Sequence, residues 1–208
     1  MNRMLIICLV VMGLGSNAYS TKCRAEEPQF EFKTPAGWRS ERFALPAKFA
    51  PQMKFTGVEE LRFAPGMYQR KAEDFLSYLF VFALENEGEI NQAALQTELT
   101  AYYRGLSALV LKKKANDLAG STTVKLELSK ARQELSADWV KVKSYSGTVA
   151  WTEPFVTKKQ QKLLITVDQF SVKGQQHQFV FVCASPANRD ANIWKTLHQI
   201  RRDFSVKE

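Results

Sequence analysis

The chain has 208 residues, of which 45% are hydrophobic and 12% aromatic. This composition excludes an intrinsically disordered protein and is typical of a well-packed globule. The formal net charge is +8 and the isoelectric point is about 9.4. Such a charge permits attraction to anionic lipid, polymer or nucleic acid but does not require it, because the cations are scattered along the chain.

The N-terminus has the order of a secretory signal peptide. Arg3 supplies an early positive charge, residues 5–14 are almost all apolar, and small or polar residues follow from Gly15. A membrane-spanning helix needs about 20 apolar residues, and this run is too short. The pattern therefore favours a cleaved signal over a permanent anchor.

We predict a signal peptide over residues 1–20, with cleavage between positions 18 and 25, and a single globular domain over 26–208. The mature chain is then exported, either to the periplasm or to the medium, and carries no transmembrane anchor. A lipoprotein is excluded because Lys22, directly before Cys23, is not the small residue that lipid attachment requires.

The cleavage site decides the state of the cysteines Cys8, Cys23 and Cys183. Cys8 leaves with the signal. If cleavage precedes Cys23, a Cys23–Cys183 disulfide is favoured by an oxidising compartment. If cleavage follows Ala25, Cys183 is alone and is expected to be a buried small hydrophobe. The sequence leaves both alternatives open.

The first half of the chain predicts strands and one long helix. Strands are expected at 30–32, 58–64 and 75–84, with a turn at 34–37 and a proline-rich loop at 45–51. A helix is expected from the N-cap Asn91 to about Lys114. Its predicted core stripe is Leu95, Leu99, Tyr102, Tyr103, Leu106, Leu109 and Val110.

The second half predicts more strands and a closing helix. The strands are expected at 122–128, 139–145, 147–151, 163–170 and 177–184, with a turn or bulge at Ser146-Gly147. A helix over 189–204, capped by Asn188, presents Ile193, Leu197, Ile200 and Phe204. The strands at 79–84 and 179–184 are apolar on both faces, so both faces need cover. We predict an α+β fold, a mainly antiparallel sheet with helices covering both faces.

Two segments carry a family resemblance. The opening Phe-Lys-Thr-Pro-Ala-Gly-Trp at 32–38, and the closing Phe-Val-Cys-Ala-Ser-Pro-Ala at 181–187 followed by the apolar helix stripe, resemble the PsbP-like superfamily. This group includes photosystem II extrinsic proteins and periplasmic DcrB-type proteins. The resemblance implies an α/β/α sandwich and a binding or accessory role, because members do unrelated jobs on one fold. It assigns a role to no residue of this chain.

No nucleotide, zinc, thiol-redox or serine-hydrolase motif occurs in the sequence. We therefore predict no cofactor, metal or catalytic residue, and favour a protein that is not an enzyme. His177 and Cys183 lie six residues apart on one predicted strand, about 20 Å from each other, and cannot form a dyad. His198 lies off the stripe of its helix, so a solvated flank is favoured over a catalytic role.

Two groups of charged residues are candidates for binding. Glu85, Glu87 and Glu89 alternate in one loop and could supply calcium ligands, as could Glu59-Glu60 and Asp138, but the EF-hand spacing is missing and a solvated loop is favoured. A polyanion patch is predicted from basic residues interleaved with Tyr145 and Trp151: Lys141, Lys143, Lys158, Lys159 and Lys162. The alternative is an ordinary solvated strand surface. Trp139, Trp151, Phe155 and Tyr145 line either an apolar pocket or the core.

Three functions follow in order of preference. The first is an exported, non-enzymatic binding or accessory module for a protein partner, a small ligand or an envelope component. The second is an envelope-acting hydrolase with a carboxylate-based site, which a cleft with two close carboxyl groups would favour. The third is a polyanion binder for nucleic acid, anionic lipid or glycan.

Overall fold

The computed structural model describes residues 28–85, 88–130 and 135–207. The predicted signal peptide and Cys23 lie outside the described residues. Within the described ranges, no helix is long and apolar enough to cross a membrane.

Seven strands form one antiparallel sheet, which confirms the α+β class and the mainly antiparallel sheet. In chain order the nine strands are β1 (Gln29–Glu31), β2 (Arg39–Leu45), β3 (Gly57–Phe63), β4 (Tyr78–Leu84), β5 (Thr123–Ser129), β6 (Trp139–Thr152), β7 (Gln160–Val172), β8 (Gln178–Ser185) and β9 (Ser205–Lys207). The large sheet has the order β2-β3-β4-β8-β7-β6-β5, and β1 pairs separately with β9. Helix α1 spans Gln92–Leu111, helix α2 spans Asn192–Arg202, and a 3₁₀ helix spans Ala115–Ser121.

Strands β4 and β8 lie beside each other at the centre of the sheet, and their residues alternate between two apolar clusters. Phe80 and Phe82 of β4 pack in one cluster with side chains of α1. Leu79 and Val81, which alternate with these two residues along β4, pack in the other cluster with side chains of α2. We call these the α1 cluster and the α2 cluster. The period of two along a strand explains the division, because successive side chains point to opposite faces.

The structure of helix α1 confirms the predicted N-cap but only part of the predicted core stripe. The Asn91 side chain accepts a hydrogen bond from Ala94 N. Leu109 and Val110 were wrongly placed in the core, since their exposed fractions are 62% and 38%. The helix instead packs near its C-terminal half through Gly105, where a Cβ atom would lie 2.2 Å from Phe49 O. The backbone of the 46–56 loop therefore lies directly against the helix at this residue.

Polar side chains of α1 cover the edge strand β5. Leu126 N donates to Gln96 Oε1 at 2.7 Å, and Val124 N donates to Thr100 Oγ1 at 3.3 Å. Gln92 Nε2 donates to Leu126 O at 2.7 Å. These bonds satisfy backbone groups that an open edge would offer to another chain.

The predicted break at Ser146-Gly147 is wrong, because β6 continues through it in register with both neighbours. Glycine stands at position 147 because a Cβ atom would lie 2.3 Å from Lys125 O on β5. The irregularity lies earlier, between Val140 and Lys143, where the register with β7 shifts.

A buried ion pair joins α2 to the sheet. Arg201 Nη1 lies 2.7 Å from Asp168 Oδ2 of β7, and both side chains are almost wholly buried. Ser144 Oγ of β6 donates to the other carboxylate oxygen at 2.6 Å. Removing one partner of such a pair leaves a buried charge without compensation.

We expect Asp168→Ala to lower the free energy of unfolding by about 3–5 kcal/mol, because Arg201 would remain charged in the interior. Asp190→Ala, at an exposed position, is the control and should change it by less than about 0.5 kcal/mol. Urea unfolding followed by circular dichroism measures both. Equal stabilities for the two variants would contradict the structural role of the pair.

Candidate functional site: a polar groove on the sheet

A polar groove of about 570 Å³ opens at the end of the β6–β7–β8 region. We call it the glutamine groove, because four glutamines line it. Its lining residues are Gly88, Glu89, Lys141, Lys143, Gln169, Phe170, Ser171, Gln175, Gln176 and Gln178. Its volume falls within the range of about 300–1,000 Å³ that is usual for small-ligand sites.

Three adjacent strands form the floor of the groove. Lys143 of β6 is the register partner of Gln169 of β7, and Gln169 is the partner of Val180 of β8. Val167, two residues before Gln169, belongs to the α1 cluster. Since residues two apart on a strand share a face, Gln169 continues the α1 side of the sheet where apolar packing gives way to polar groups.

The β-bulge between Val140 and Lys143 sets the position of Lys141. Lys141 has a φ of 55°, in the left-handed region that non-glycine residues rarely adopt. A bulge re-aims the side chain it carries and occurs often beside functional sites. The strained backbone places Lys141 at the groove rather than in the regular alternation of the strand.

Gln169 lines the groove, and most of its side chain is buried. Its exposed fraction is 7%, and its Oε1 atom is buried without a hydrogen-bond partner. A buried polar atom of this kind destabilises a fold by about 1–3 kcal/mol.

Glu89, one of the acidic residues considered for calcium, contacts the basic strand β6 instead. Glu89 forms an ion pair with Lys143 at the groove. The hydrogen bond from the Lys143 ammonium, together with its charge, lowers the pKa of the Glu89 carboxyl. In the described ranges no three His, Cys, Asp or Glu residues are grouped to hold a metal ion; Glu87 lies outside those ranges.

The structure separates the five predicted polyanion-binding lysines into two groups. Lys141 and Lys143 lie at the glutamine groove, whereas Lys158, Lys159 and Lys162 lie at the other end of the β6–β7 hairpin. Lys143 pairs with Gln169, seven residues along β7 from Lys162, so the groups are about 23 Å apart. By strand alternation, Lys143 and Lys162 also point to opposite faces. The five lysines do not form one contiguous patch.

Two carboxyl groups with raised pKa values lie elsewhere, on β2 and β3. Glu59 is fully buried, and Tyr102 Oη donates to its Oε1 at 2.8 Å. Burial raises the pKa of Glu59 well above its usual value, and the charge of Glu41 adds to this shift. Desolvation also raises the pKa of Glu41, while the charge of Arg39 opposes that shift. Because Glu59 has no exposed surface, a substrate has no route to its carboxyl in this structure.

Cys183 and the aromatic candidates belong to or pack against the two apolar clusters, and both histidines contact aromatic rings of the α2 cluster. Cys183 is buried on β8, with its Sγ 3.8 Å from Leu197 O. His198 packs on Trp194, with ring centroids 5.6 Å apart, and His177 is buried beside Phe179. The disulfide stays a prediction, since Cys23 lies outside the described residues.

The four aromatic residues considered for an apolar pocket do not line one surface. Trp151 and Tyr145 belong to the α1 cluster, and Phe155 packs against it. Trp139 belongs to the α2 cluster and stacks on Phe170 with centroids 3.6 Å apart. These rings build the core on opposite faces of the sheet.

Sequence reasoning missed the glutamines of the groove. Three of them follow Gly174 between two strongly apolar strands: Gln175 and Gln176 lie before β8, and Gln178 is its first residue. Long polar amides clustered there were a usable signal. Gln169 itself carried no usable signal, because the face of the sheet on which it lies depends on the register of β7 with β6 and β8.

Comparison with known proteins assigns no family. No family model matches the chain, and no curated protein matches it. Among solved structures the chain is similar to LpqN, which is involved in cell envelope biogenesis of Mycobacterium tuberculosis. The identity is 11%, the match covers 90% of this chain and 88% of LpqN, and the TM-score is 0.36. At this TM-score the likeness carries no argument about fold or function.

The protonation of the buried Glu59 carboxyl can be tested through the pH dependence of stability. Its raised pKa means that the folded state holds the proton to a higher pH than the unfolded state does, so its contribution to stability is full below about pH 4.5 and falls as the pH rises. We expect Glu59→Gln, which stays neutral, to melt at a higher temperature than wild type at pH 8 but not at pH 4.5. Thermal unfolding across this range measures the difference.

Glu127→Gln is the control, because Glu127 is exposed on β5. It should leave the pH dependence of the melting temperature unchanged. A Glu59→Gln effect that is the same at every pH would contradict a protonated Glu59 in the folded protein.

Proposed function

We propose that the protein is an exported, non-enzymatic binding or accessory module that holds an envelope component in the glutamine groove. The observation that carries this proposal is the groove of about 570 Å³ itself, which is lined by four glutamines and by Lys141 in a strained backbone conformation. Export rests on the signal pattern of residues 1–20. Strained backbone conformations cluster at binding and catalytic sites.

The charges at the groove support binding rather than hydrolysis. The Lys143 ammonium lowers the pKa of Glu89, the carboxyl group among the lining residues, so this group stays ionised near neutral pH. A general acid needs a raised pKa to hold its proton at that pH. Glu89 is therefore suited to fix Lys143 in place rather than to protonate a leaving group.

The resemblance to the PsbP-like superfamily is consistent with this proposal. We infer that α1 and α2 cover the two faces of the sheet as an α/β/α sandwich, since each helix contributes to a different apolar cluster. Members of that group act mainly as binding or accessory modules. A fold-level analogy of this kind supports a class of role and not a ligand.

The test is retention of the purified mature chain on insoluble envelope fragments from cells that produce it. We expect wild type to be retained and Gln169→Leu to lose at least tenfold in apparent affinity, because leucine replaces a polar amide in the groove lining with an apolar side chain that forms no hydrogen bond. Leucine also removes the buried unsatisfied oxygen, so the variant should melt at the same or a higher temperature than wild type. Sedimentation with the fragments and thermal unfolding measure the two effects.

Gln161→Leu is a matched control. Gln161 lies on the same strand as Gln169, eight residues away, and its Oε1 is likewise buried without a hydrogen-bond partner. It does not line the groove, so its substitution should leave retention unchanged. Retention that falls equally in both variants, or no retention of wild type, would contradict the proposed function.

Polyanion binding is the second candidate, favoured by the exposed lysines in and beside the turn between β6 and β7. Lys158, Lys159 and Lys162 are exposed, and Lys158 has a φ of 54°. Lys143 is already in an ion pair with Glu89, so the turn is the stronger site of the two. Phosphate or sulfate groups would bind there by replacing counterions.

Heparin chromatography tests this candidate. If it is correct, Lys158→Ala/Lys159→Ala/Lys162→Ala should elute at lower salt than wild type, whereas Lys141→Ala/Lys143→Ala should shift less. The comparison isolates the turn because the two sets lie about 23 Å apart. Elution of wild type in the flow-through at low salt would exclude polyanion binding.

The hydrolase alternative rests on Glu41 and Glu59, whose pKa values are both raised. Their strands pair antiparallel with Glu41 opposite Leu61, two residues from Glu59, so the Cβ atoms are about 7–8 Å apart. The full burial of Glu59 beneath Tyr102 ranks this alternative below a binding module.

A further inference from the structure

We propose that the C-terminal end of helix α1 docks the protein on an anionic lipid surface. Leu109 and Val110 in the last turn of the helix insert at the boundary of the acyl chains, and the lysines that follow them contact lipid phosphates. The proposal does not depend on the glutamine groove, which lies beside Glu89 at the opposite end of α1.

Two exposed apolar side chains adjoin each other at this end of the helix. Among the described residues, the exposed large hydrophobic side chains are Leu109 at 62%, Val110 at 38% and Leu128 at 68%. Leu128 lies near the other end of α1, where Gln92 Nε2 donates to Leu126 O. An exposed apolar residue by itself is ordinary, so the apolar pair acquires a meaning only from the charges beside it.

The C-cap of α1 holds positive charges against the same turn. Lys112 N donates to Leu109 O at 3.2 Å, with the Lys112 backbone in the left-handed region at a φ of 55°. Lys113 N donates to Ala108 O at 2.9 Å. The side chains of all three lysines in the segment 112–114 are exposed. The backbone therefore fixes a cluster of cations within one helical turn of the apolar pair.

The turn between β6 and β7 adds cations at the same end of the molecule. Ser107 Oγ of α1 donates to Thr152 O at the end of β6, at 3.0 Å. Glu153 N then donates to Lys159 O at 2.9 Å across the turn. Lys158 and Lys159 are exposed, whereas Glu153 is fully buried. The exposed charges of the turn therefore have the same sign as those at the helix end.

Apolar side chains surrounded by lysines match an anionic bilayer. Such side chains enter the boundary between headgroups and acyl chains, and each lysine near an anionic membrane strengthens binding by about fivefold. The three lysines of the segment 112–114 outnumber Asp117, the exposed carboxylate of the 3₁₀ helix that follows.

A lipid surface fits this end of α1 better than a protein or a soluble polyanion does. A stable protein interface buries about 800 Å² on each partner, which is far more than two side chains offer. A soluble polyanion would contact the lysines but would leave Leu109 and Val110 in water. The bilayer is the partner that uses both parts of the surface.

The test is cosedimentation of the mature chain with vesicles of phosphatidylcholine in which one third of the lipid is phosphatidylglycerol. Vesicles of phosphatidylcholine alone are the uncharged reference, and wild type should bind them at least tenfold more weakly. Lys113→Gln/Lys114→Gln should weaken binding to the anionic vesicles by about tenfold or more. Leu109→Gln/Val110→Gln should do the same, because glutamine gains nothing from the acyl chains. All four positions are exposed, and circular dichroism checks that both variants fold.

Matched controls remove equivalent groups elsewhere. Lys33→Gln/Lys195→Gln removes two exposed lysines at a groove beside α2, and Leu128→Gln removes an exposed apolar side chain near the other end of α1. Both controls should bind within about twofold of wild type, since single-site surface effects are small. Gln169→Leu should also bind the vesicles as wild type does, so this proposal and the proposed function succeed or fail separately.

Insertion has its own readout, which is tryptophan fluorescence with lipids brominated in the acyl chains. We expect Val110→Trp to be quenched more than wild type and Leu128→Trp to show no added quenching. If the lysine variant loses binding while the apolar variant keeps it and Val110→Trp is not quenched, the surface contacts a soluble polyanion or an acidic protein and the proposal is overturned. Failure of wild type to bind the anionic vesicles, or equal weakening in the controls, would overturn it as well.

Discussion

The fold depends on one constraint, which is that the central strands β4 and β8 are apolar on both faces. Every residue of β4 is buried, with exposed fractions between 0 and 4%, so neither face of the sheet centre can meet water without a large penalty. Two apolar clusters satisfy this constraint, one with side chains of α1 and one with side chains of α2. The buried Asp168–Arg201 pair then fixes α2 against β7.

The glutamine groove lies where this apolar cover ends. Along β7, Leu163, Ile165 and Val167 belong to the α1 cluster, and the next residue on that face is Gln169. An apolar side chain at this position would extend the core, and it would be the more stable choice in the absence of a ligand. The β-bulge brings Lys141 to the same groove. Two local departures from the most stable arrangement therefore meet at one site, as is common at functional sites.

Much of the fold could be predicted from the sequence because it depends on local periodicity. The stripe Ile193, Leu197, Ile200 and Phe204 is buried as predicted, and the Asn91 cap is present. Strand β2 was missed because its residues, which include Arg39, Glu41 and Arg42, are mostly exposed at a sheet edge and show no apolar alternation. The prediction for Leu109 was wrong because its side chain lies on the exposed side of the last turn of α1, whereas the neighbouring Ala108 is buried.

The candidate site was only partly predictable. Lys141 and Lys143 were singled out from the sequence, but the separation from Lys158, Lys159 and Lys162 follows from the length and register of the β6–β7 hairpin. The importance of Gln169 depends on which face it occupies and on the absence of a hydrogen-bond partner for its buried oxygen. Register and burial of that kind arise from tertiary packing, which a single sequence does not encode in any local pattern.

The most direct test of the central claim is a heteronuclear NMR titration of the mature chain with an enzymatic digest of envelope fragments. If the groove is the binding site, the backbone and side-chain amide signals of Gln169, Gln175 and Gln176 and the backbone signal of Lys141 will shift first and saturate together. Signals of Lys158 and Lys162, at the far end of the hairpin, will stay unchanged. Shifts confined to that far end, or to residues around Glu59, would contradict the account.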